Sequence, residues 1–175
     1  MNAAGVSTTP AIEVHTISVL VDYEPGILAR VVGLFSGRGY NIESLTVAQT
    51  DAKAKLSRMT IVTTGTPMVI EQIKAQLDRL VPVHKVDDLT VEGRPIEREL
   101  ALVRVKGTGD KRIEALRLAD VFRANVIDAQ IDSFVFEVTG KSDKIRSFVE
   151  LMQALGTTDV SRTVIVAMSR NAGTK

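Results

Sequence analysis

Very few side chains in this sequence could carry out catalysis. Cysteine is absent and there are only two histidines, His15 and His84, so neither a cysteine–histidine nucleophile nor a thiolate metal site can form. No serine lies in the G-x-S-x-G pattern of a hydrolase nucleophile. Each histidine lies at or near the start of a predicted strand, without a cluster of acids to share a metal, and we interpret both as ordinary partly buried or edge residues. The sequence therefore contains no convincing catalytic set.

Two short polar motifs look like functional sites but fit local structure better. The run GKSD, which begins at Gly140, resembles the end of a phosphate-binding loop. That loop requires a glycine five positions earlier, where this chain has Val135. We interpret the run as a turn and a helix start, with Ser142 as the N-cap. The acidic pair Asp87 and Asp88 lies in a polar linker, where we expect both carboxylates to be solvated.

The segment EPGILARVV, residues 24–32, offers a different chemistry. A predicted strand passes directly into a predicted helix through Pro25 and Gly26. Proline suits the first helical turn, because its missing N–H would have no partner there, and glycine leaves the backbone open to close approach. The amides near Ile27 and Leu28 would be unpartnered and would attract an anion such as a carboxylate. The alternative is that Pro25 and Gly26 form only a compact turn.

The composition of the 175-residue chain sets limits on its class. Hydrophobic residues make up 45% and the mean hydropathy is +0.12, which suits one or two small globular domains. The 22 basic and 21 acidic residues nearly balance, so charge gives no sign of a nucleic-acid surface. The first residues lack the features of a signal peptide, and no apolar run reaches the roughly 18 residues of a membrane span. We expect a cytoplasmic protein without disulfides.

Hydrophobic periodicity predicts a βαββαβ order in the first half. Residues 15–22 alternate as a strand, a helix follows from about 26 to 37, and Gly39 signals its end. Two further strands are predicted around the polar loop TDAKAK, followed by a helix after Pro67 and a fourth strand in VHKVDDLTV. This order is typical of the ferredoxin-like fold.

The second half repeats this order with different residues. A strand in ERELALVRV leads to a helix in GDKRIEALRLADVFRAN, whose inner face should carry Leu118, Val121 and Phe122. Two strands and the most clearly amphipathic helix follow, and VSRTVIVAMS is predicted as one last strand. We therefore predict an α+β protein of two ferredoxin-like βαββαβ sandwiches. The predicted parts are a flexible N-terminal tail (1–13), a first domain (14–86), a linker (87–98) and a second domain (99–175).

Several stretches of the sequence resemble one known family. PGILARVVGLFSGRGYNIESLTV and SRMTIV in the first half, and LVRVKG, VFRANVIDA and ALGTTDVSRT in the second, are similar to the regulatory (small) subunit of acetohydroxyacid synthase, also called acetolactate synthase. The run RGYNIESL is the most diagnostic. The resemblance covers nearly the whole chain, and it implies an N-terminal ACT domain followed by a C-terminal ACT-like domain.

The resemblance implies a function in branched-chain amino acid biosynthesis. In this family the small subunit is not an enzyme on its own. It stimulates a separate catalytic (large) subunit and confers feedback inhibition by a branched-chain amino acid, typically valine. The catalytic partner would hold thiamine diphosphate, Mg and FAD, and this chain would hold no cofactor. The implied assembly is a homodimer through the ACT domains, with no nucleic-acid or membrane partner.

The family also implies where the effector binds, namely between the ACT domains of two small subunits. Gly26 matches the family's loop glycine, whose neighbouring amides would take the effector carboxylate. Asn41 matches the family's asparagine after the helix and would hold the amino-acid head group by hydrogen bonds. Ile27 and Ile42 would form an apolar wall for the branched side chain. The alternative for Asn41 is a helix C-cap.

One departure from the family lies in the loop itself, which reads DYEPG. Some family members carry an asparagine three residues before the glycine, where this chain has Tyr23. Either Asp22 or Tyr23 could supply that polar contact, or sensitivity to the effector could be weaker. The predicted effector site comprises Asp22, Tyr23, Pro25, Gly26, Ile27, Leu28, Asn41 and Ile42.

Two other functions compete with this one. A stand-alone amino-acid sensor would bind the same ligand without an enzyme partner. An RNA-binding module of the same fold would stack bases on strand aromatics within a basic surface. The strand SRMTIVTTG has no aromatic residue, and the alternation of Phe134 and Phe136 favours a place in the core, so the sequence disfavours RNA binding.

Overall fold

The computed structural model describes residues 11–91, 93 and 95–170. Most of the predicted tail at 1–13 lies outside the described residues, and its last residue, Glu13, already belongs to the first strand. None of the helices in the described ranges is long and apolar enough to cross a membrane.

The chain divides between Pro95 and Ile96 into two compact units. We call the part before this point the first unit and residues 96–168 the second unit. The predicted linker at 87–98 is too long at both ends, because the last strand of the first unit continues through Asp88 and the first strand of the second begins at Ile96.

The first unit is a four-stranded antiparallel sheet with two helices. Its strand order is β2-β3-β1-β4, which is the predicted ferredoxin-like arrangement. The elements are β1 (Glu13–Asp22), α1 (Ile27–Arg38), β2 (Ser44–Asp51), β3 (Leu56–Gly65), α2 (Pro67–Leu77) and β4 (Val83–Asp88).

Strand alternation places one face of this sheet against the helices. Ile17, Val19 and Val21 on β1 are fully buried, because every second side chain of a strand lies on the same face. Side chains at helical spacing pack onto that face, with Val31 of α1 and Ile73 of α2 both fully buried. Burying each such side chain contributes about 1.5–3 kcal/mol, and this core fixes the start of α1 relative to the end of β1.

The second unit repeats this order, with the strands in the sequence β6-β7-β5-β8. Its elements are β5 (Ile96–Lys106), α3 (Asp110–Phe122), β6 (Asn125–Ala129), β7 (Ser133–Gly140), α4 (Ser142–Leu155), β8 (Thr157–Arg162) and β9 (Val166–Met168). The prediction of one last strand is wrong, since β8 and β9 are separate strands that pair with different parts of β5. Between them, the Thr163 N–H donates to the Leu100 carbonyl at 2.8 Å, whereas the Leu100 N–H is accepted by the Thr163 hydroxyl at 2.9 Å, so a side chain takes the place of one of the two ladder bonds.

Phenylalanines dominate the core of the second unit. Phe136 on β7 and Phe148 on α4 are fully buried, and Phe134 lies beside Phe136, which confirms that these strand aromatics belong to the core. The prediction for α3 is partly wrong, because Val121 is 76% exposed. The helix turns Ala115 and Ala119 toward the sheet instead, with Leu118 and Phe122 partly buried beside them.

Two polar residues lie in places that the sequence did not predict. Asp88 was expected to be solvated, but it is only 5% exposed and accepts hydrogen bonds from the His15 ring at 2.8 Å and from the Thr90 N–H at 3.0 Å. The reason is that β4 runs through Asp88 beside Ile17, where the carboxylate stays buried because it is paired. His15 is accordingly a buried partner rather than an edge residue.

The prediction of Ser142 as an N-cap is also wrong. Lys141 is the N-cap of α4, and Ser142 is the first helical residue. Its hydroxyl donates to the buried carboxylate of Glu99, which also accepts from Arg162 Nε at 2.6 Å. Ser142 therefore joins α4 to β5, and the GKSD run is a helix start, as predicted.

Candidate functional site

A four-residue loop, residues 23–26, joins β1 to α1. The Ile27 N–H donates to the Glu24 carbonyl at 3.5 Å, and Gly26 has φ 86° and ψ −8°. These angles are those of the third residue of a type II turn. Proline is common at the second residue of such a turn, which here is Pro25. The compact-turn interpretation is therefore correct for the backbone. Pro25 precedes the N-cap Gly26 and is not in the first helical turn, because the helix begins only at Ile27.

Neighbouring strand ends hold this loop from both sides. The Asp22 N–H donates to the Pro82 carbonyl at 2.9 Å, and the Tyr23 N–H donates to the Lys55 carbonyl at 2.6 Å. Pro82 precedes β4 and Lys55 precedes β3, so the turn is attached to the sheet across both neighbours of β1. The Tyr23 side chain is 61% exposed and is available to a ligand or a partner.

The start of α1 has the features of an anion site. Gly26 caps the helix without a side-chain hydrogen bond, and no hydrogen-bond partner for the Leu28 or Ala29 amide is present in the part of the chain that the structure describes. A Cβ added at Gly26 would have no atom within 4 Å, so a ligand has room beside the turn. Free amides and the helix dipole at such an end favour a negative charge.

The three apolar residues of the predicted site have different environments. Ile27 is 6% exposed and belongs to the core of the first unit, so little of its side chain is open to a ligand, and its place in a pocket wall stays a prediction. Leu28, the next residue on the helix, is 45% exposed. Ile42 is partly buried and packs against the same core, which leaves Leu28 and part of Ile42 for contact with a ligand.

Asn41 is not a helix C-cap. Gly39 takes that position with φ 70°, and its N–H donates to carbonyls of the last helical turn. The Asn41 carbonyl accepts from Thr63 Oγ1 at 2.6 Å, which attaches the backbone to β3, and its side-chain amide donates to Glu43 Oε1 at 2.5 Å. The asparagine side chain is exposed, so a ligand head group can reach it, in competition with Glu43 for the amide N–H.

The structure does not bring Gly26 and Asn41 together within one chain. They lie at opposite ends of α1, which has 12 residues. At 1.5 Å of rise per residue this separation is about 18 Å, far more than the length of a free amino acid. A single small ligand that contacts both residues must lie between two copies of the chain.

One residue near the loop was missed by reasoning from the sequence. His84 Nε2 lies 2.7 Å from Asp22 Oδ1, and each side chain is 49% exposed. Asp22 is therefore already engaged within the chain, which makes Tyr23 the freer of the two candidates for an additional polar contact. No motif signals this pair, because the two residues lie on different strands and meet only through sheet pairing.

In the part of the chain that the structure describes, the titratable side chains do not form a metal centre. Within residues 11–91, 93 and 95–170, no group of three or more histidine, aspartate or glutamate side chains could hold a metal ion. The chemistry available at the β1–α1 loop is recognition of an anion through backbone amides.

Both units match known protein families. Residues 17–85 match the family model described as the small subunit-like ACT domain of acetohydroxyacid synthase. Residues 98–171 match the model described as the small subunit of acetolactate synthase. The two matches lie on either side of the division between the units.

Individual relatives agree with these family models over most of their length. A protein of Archaeoglobus fulgidus named as a probable acetolactate synthase small subunit is 49% identical over 156 residues, covering 89% of this chain and 96% of that protein. An acetolactate synthase small subunit of Aquifex aeolicus is 44% identical over 162 residues, with coverages of 92% and 83%. The crystal structure of the Thermotoga maritima small subunit matches with a TM-score of 0.81 at 37% identity, covering 90% of this chain and 98% of that chain. This chain belongs to the family of acetolactate synthase small subunits.

Proposed function

We propose that this chain stimulates the catalytic subunit of acetolactate synthase in the cytoplasm and makes that enzyme sensitive to a branched-chain amino acid, which we take to be valine. The chemistry belongs to the catalytic partner, with its thiamine diphosphate, Mg and FAD. Membership of the small-subunit family supports the regulatory function. The observation that carries the effector site is the turn at Gly26, which leaves the first amides of α1 open.

The effector carboxylate would bind the amides of Leu28 and Ala29 in one copy of the chain. Asn41 of a second copy would bind the amino-acid head group, since one copy alone separates these groups by about 18 Å. Leu28 and Ile42 would contact the branched side chain. A two-fold axis between the copies would produce two equivalent sites, each completed by the other copy.

Inhibition requires that the effector bind one arrangement of the assembly more tightly than another. A ligand held between two copies meets this requirement, because it gains its full set of contacts only when the copies are correctly placed. The same differential affinity would weaken the stimulating arrangement of the enzyme complex and so couple valine binding to activity.

The experiment that tests the function is acetolactate formation by the catalytic subunit from the same source, with and without this chain, across a valine titration. Stimulation that valine reverses is the expected result. Stimulation without valine sensitivity would keep the partner and contradict the effector proposal. Valine binding to this chain without any effect on the enzyme would instead favour the stand-alone sensor.

Sedimentation of the isolated chain tests the two-copy site independently. We expect a dimer, and we expect valine to shift the distribution further toward it. A chain that binds valine tightly while remaining monomeric would contradict a site shared between copies.

A further inference from the structure

We propose that His84 is a positioning residue for the proposed effector loop, residues 23–26. It acts by a hydrogen bond to Asp22, the last residue of β1. Its imidazole would fix Asp22, and with it the turn at residues 23–26, against β4. This inference rests on the proposed function, because it concerns the geometry of the same effector site.

A bulge in the sheet directs His84 toward Asp22. Leu20 of β1 pairs with Lys85, but the next residue, Val21, pairs with Val83. His84 is therefore an extra residue on β4 with no pairing partner on β1. A regular ladder would place His84 opposite Val21. The bulge places Val83 there instead, where it packs against the core, and redirects the histidine, as bulges beside functional sites often do.

The contact between the two side chains is a directed hydrogen bond. A carboxylate can only accept, so the His84 Nε2–H donates to Asp22 Oδ1 over 2.7 Å. Asp22 is the last residue of β1 and its backbone N–H is bonded to the Pro82 carbonyl. Asp22 lies immediately before the loop. Its main chain is hydrogen-bonded to Pro82, which precedes β4, and its side chain is hydrogen-bonded to His84 of β4.

The charges around the loop support a function for this pair in ligand binding. Two acids lie at the start of the loop that forms the proposed carboxylate site, and each is engaged by a donor. Asp22 is held by His84, and Glu24 is held by Arg30 Nη1 at 3.1 Å. An unrestrained Asp22 carboxylate would be free to turn toward the open amides of α1 and repel the effector.

The test compares variants of the chain within the complete enzyme complex. His84→Leu removes the donor, whereas His84→Gln can still donate from its side-chain amide. Lys74→Leu is the matched control, because Lys74 forms a similarly short ion pair with Glu71 at 2.8 Å on α2, away from the loop. For each variant, one measures the valine concentration for half-inhibition, the maximal stimulation and the thermal unfolding of the chain.

We expect His84→Leu to raise the half-inhibiting valine concentration about two- to fivefold, the range for a partly exposed pair, and His84→Gln to recover most of that loss. Lys74→Leu should leave the valine concentration unchanged. If His84 contributes only to the stability of the fold, both leucine variants should unfold at a lower temperature, and His84→Leu should show no selective loss of valine sensitivity. This result would overturn the proposal.

A double-mutant cycle distinguishes loss of the hydrogen bond between Asp22 and His84 from general damage to the fold. Asp22→Ala combined with His84→Leu should shift the half-inhibiting concentration no further than either change alone, since both break one contact. Additive shifts would contradict a shared function. If Gly26→Asp abolishes inhibition while no His84 variant changes it, the positioning inference is wrong and the proposed function stands. Absence of valine inhibition in the unmodified complex would overturn both.

Discussion

In both units, the helix after the first strand begins at a glycine with positive φ and ends at a left-handed residue. Gly26 and Gly109 are the N-caps, with φ of 86° and 59°. An asparagine follows the left-handed C-cap by two residues in each unit, Asn41 after Gly39 and Asn125 after Arg123. The combination of a loop glycine and a later asparagine is thus a property of the repeated fold, and it cannot by itself mark an effector site.

The two helices differ in how they pack and in how they begin. Large side chains of α1 enter the core, whereas α3 buries only Ala115 and Ala119. Gly26 has ψ −8° within a type II turn, while Gly109 has ψ −132°. The same order of elements therefore accommodates two different cores. The features that distinguish the first unit are local, namely its type II turn and the residues that hydrogen-bond to it.

The largest expected effect concerns stability, where the two units should behave alike. Phe148 is fully buried and its ring centroid lies 5.3 Å from that of Phe122. Phe148→Ala should lower the free energy of unfolding by about 3–5 kcal/mol, because it leaves a cavity in the core. Phe35→Ala should cost a similar amount, since Phe35 is 1% exposed in the first unit. Urea denaturation of the isolated chain measures both, and a loss below about 1 kcal/mol at either position would show that its core repacks.

The second prediction tests whether the two loop glycines are equivalent. Gly26→Asp should raise the half-inhibiting valine concentration at least a hundredfold, about 2.8 kcal/mol, by placing a negative charge where the carboxylate binds. Gly109→Asp is the control in the second unit, because that glycine is also a helix N-cap with positive φ and open space around it, although its ψ of −132° differs. A valine titration of the enzyme complex should show normal inhibition for the control. Equal loss of valine inhibition in both variants would show that the substitutions disturb the fold and that Gly26 does not belong to an effector site.

The asparagines provide a third and smaller test. Asn41→Ala should weaken the effector by about 1–3 kcal/mol, because polar groups of the ligand lose their partner. Asn125→Ala should have no effect on inhibition. Calorimetric titration of valine into each variant provides the affinities, and equal affinities for Asn41→Ala and the unmodified chain would remove this residue from the effector site.

The smallest effect should come from exposed ion pairs on the second helix of each unit. Lys74 pairs with Glu71 on α2, and Arg146 pairs with Asp143 on α4, both with a spacing of three residues. Replacing Lys74 or Arg146 by glutamine should change the unfolding free energy by less than about 0.5 kcal/mol, since water screens such pairs. A change above about 1 kcal/mol in one unit alone would show that its ion pair stabilises that unit more than the corresponding pair stabilises the other.

Much of the fold could be predicted because its periodicities are simple. The alternation of Ile17, Val19 and Val21 leaves one face for the helices, and Pro67 begins α2 as expected. The errors arose where side chains compete with the backbone or where a strand continues beyond its apolar residues. The Thr163 hydroxyl takes the place of one backbone acceptor between β8 and β9, and Asp88 is buried because the His15 ring and the Thr90 N–H donate hydrogen bonds to it.

The geometry of the proposed effector site was less predictable than the elements that carry it. The Pro25–Gly26 dipeptide indicates a turn, but the sequence does not reveal that the helix starts one residue later, with Ile27 directed into the core. The contact between Asp22 and His84 depends on a bulge, and a one-residue shift in strand pairing has no signature in composition. Family resemblance proposed this loop as the effector site, and the structure supplied the hydrogen-bond distances within it.

The length of α1 makes the proposed effector site depend on protein concentration. A ligand that must contact both ends of this 12-residue helix can do so only by joining two chains. By thermodynamic linkage, such a ligand must tighten the association of the chains by the same factor with which association tightens the ligand. Dilution would then weaken feedback before it weakens folding, and an abundance of effector would restore the pairing that dilution removes.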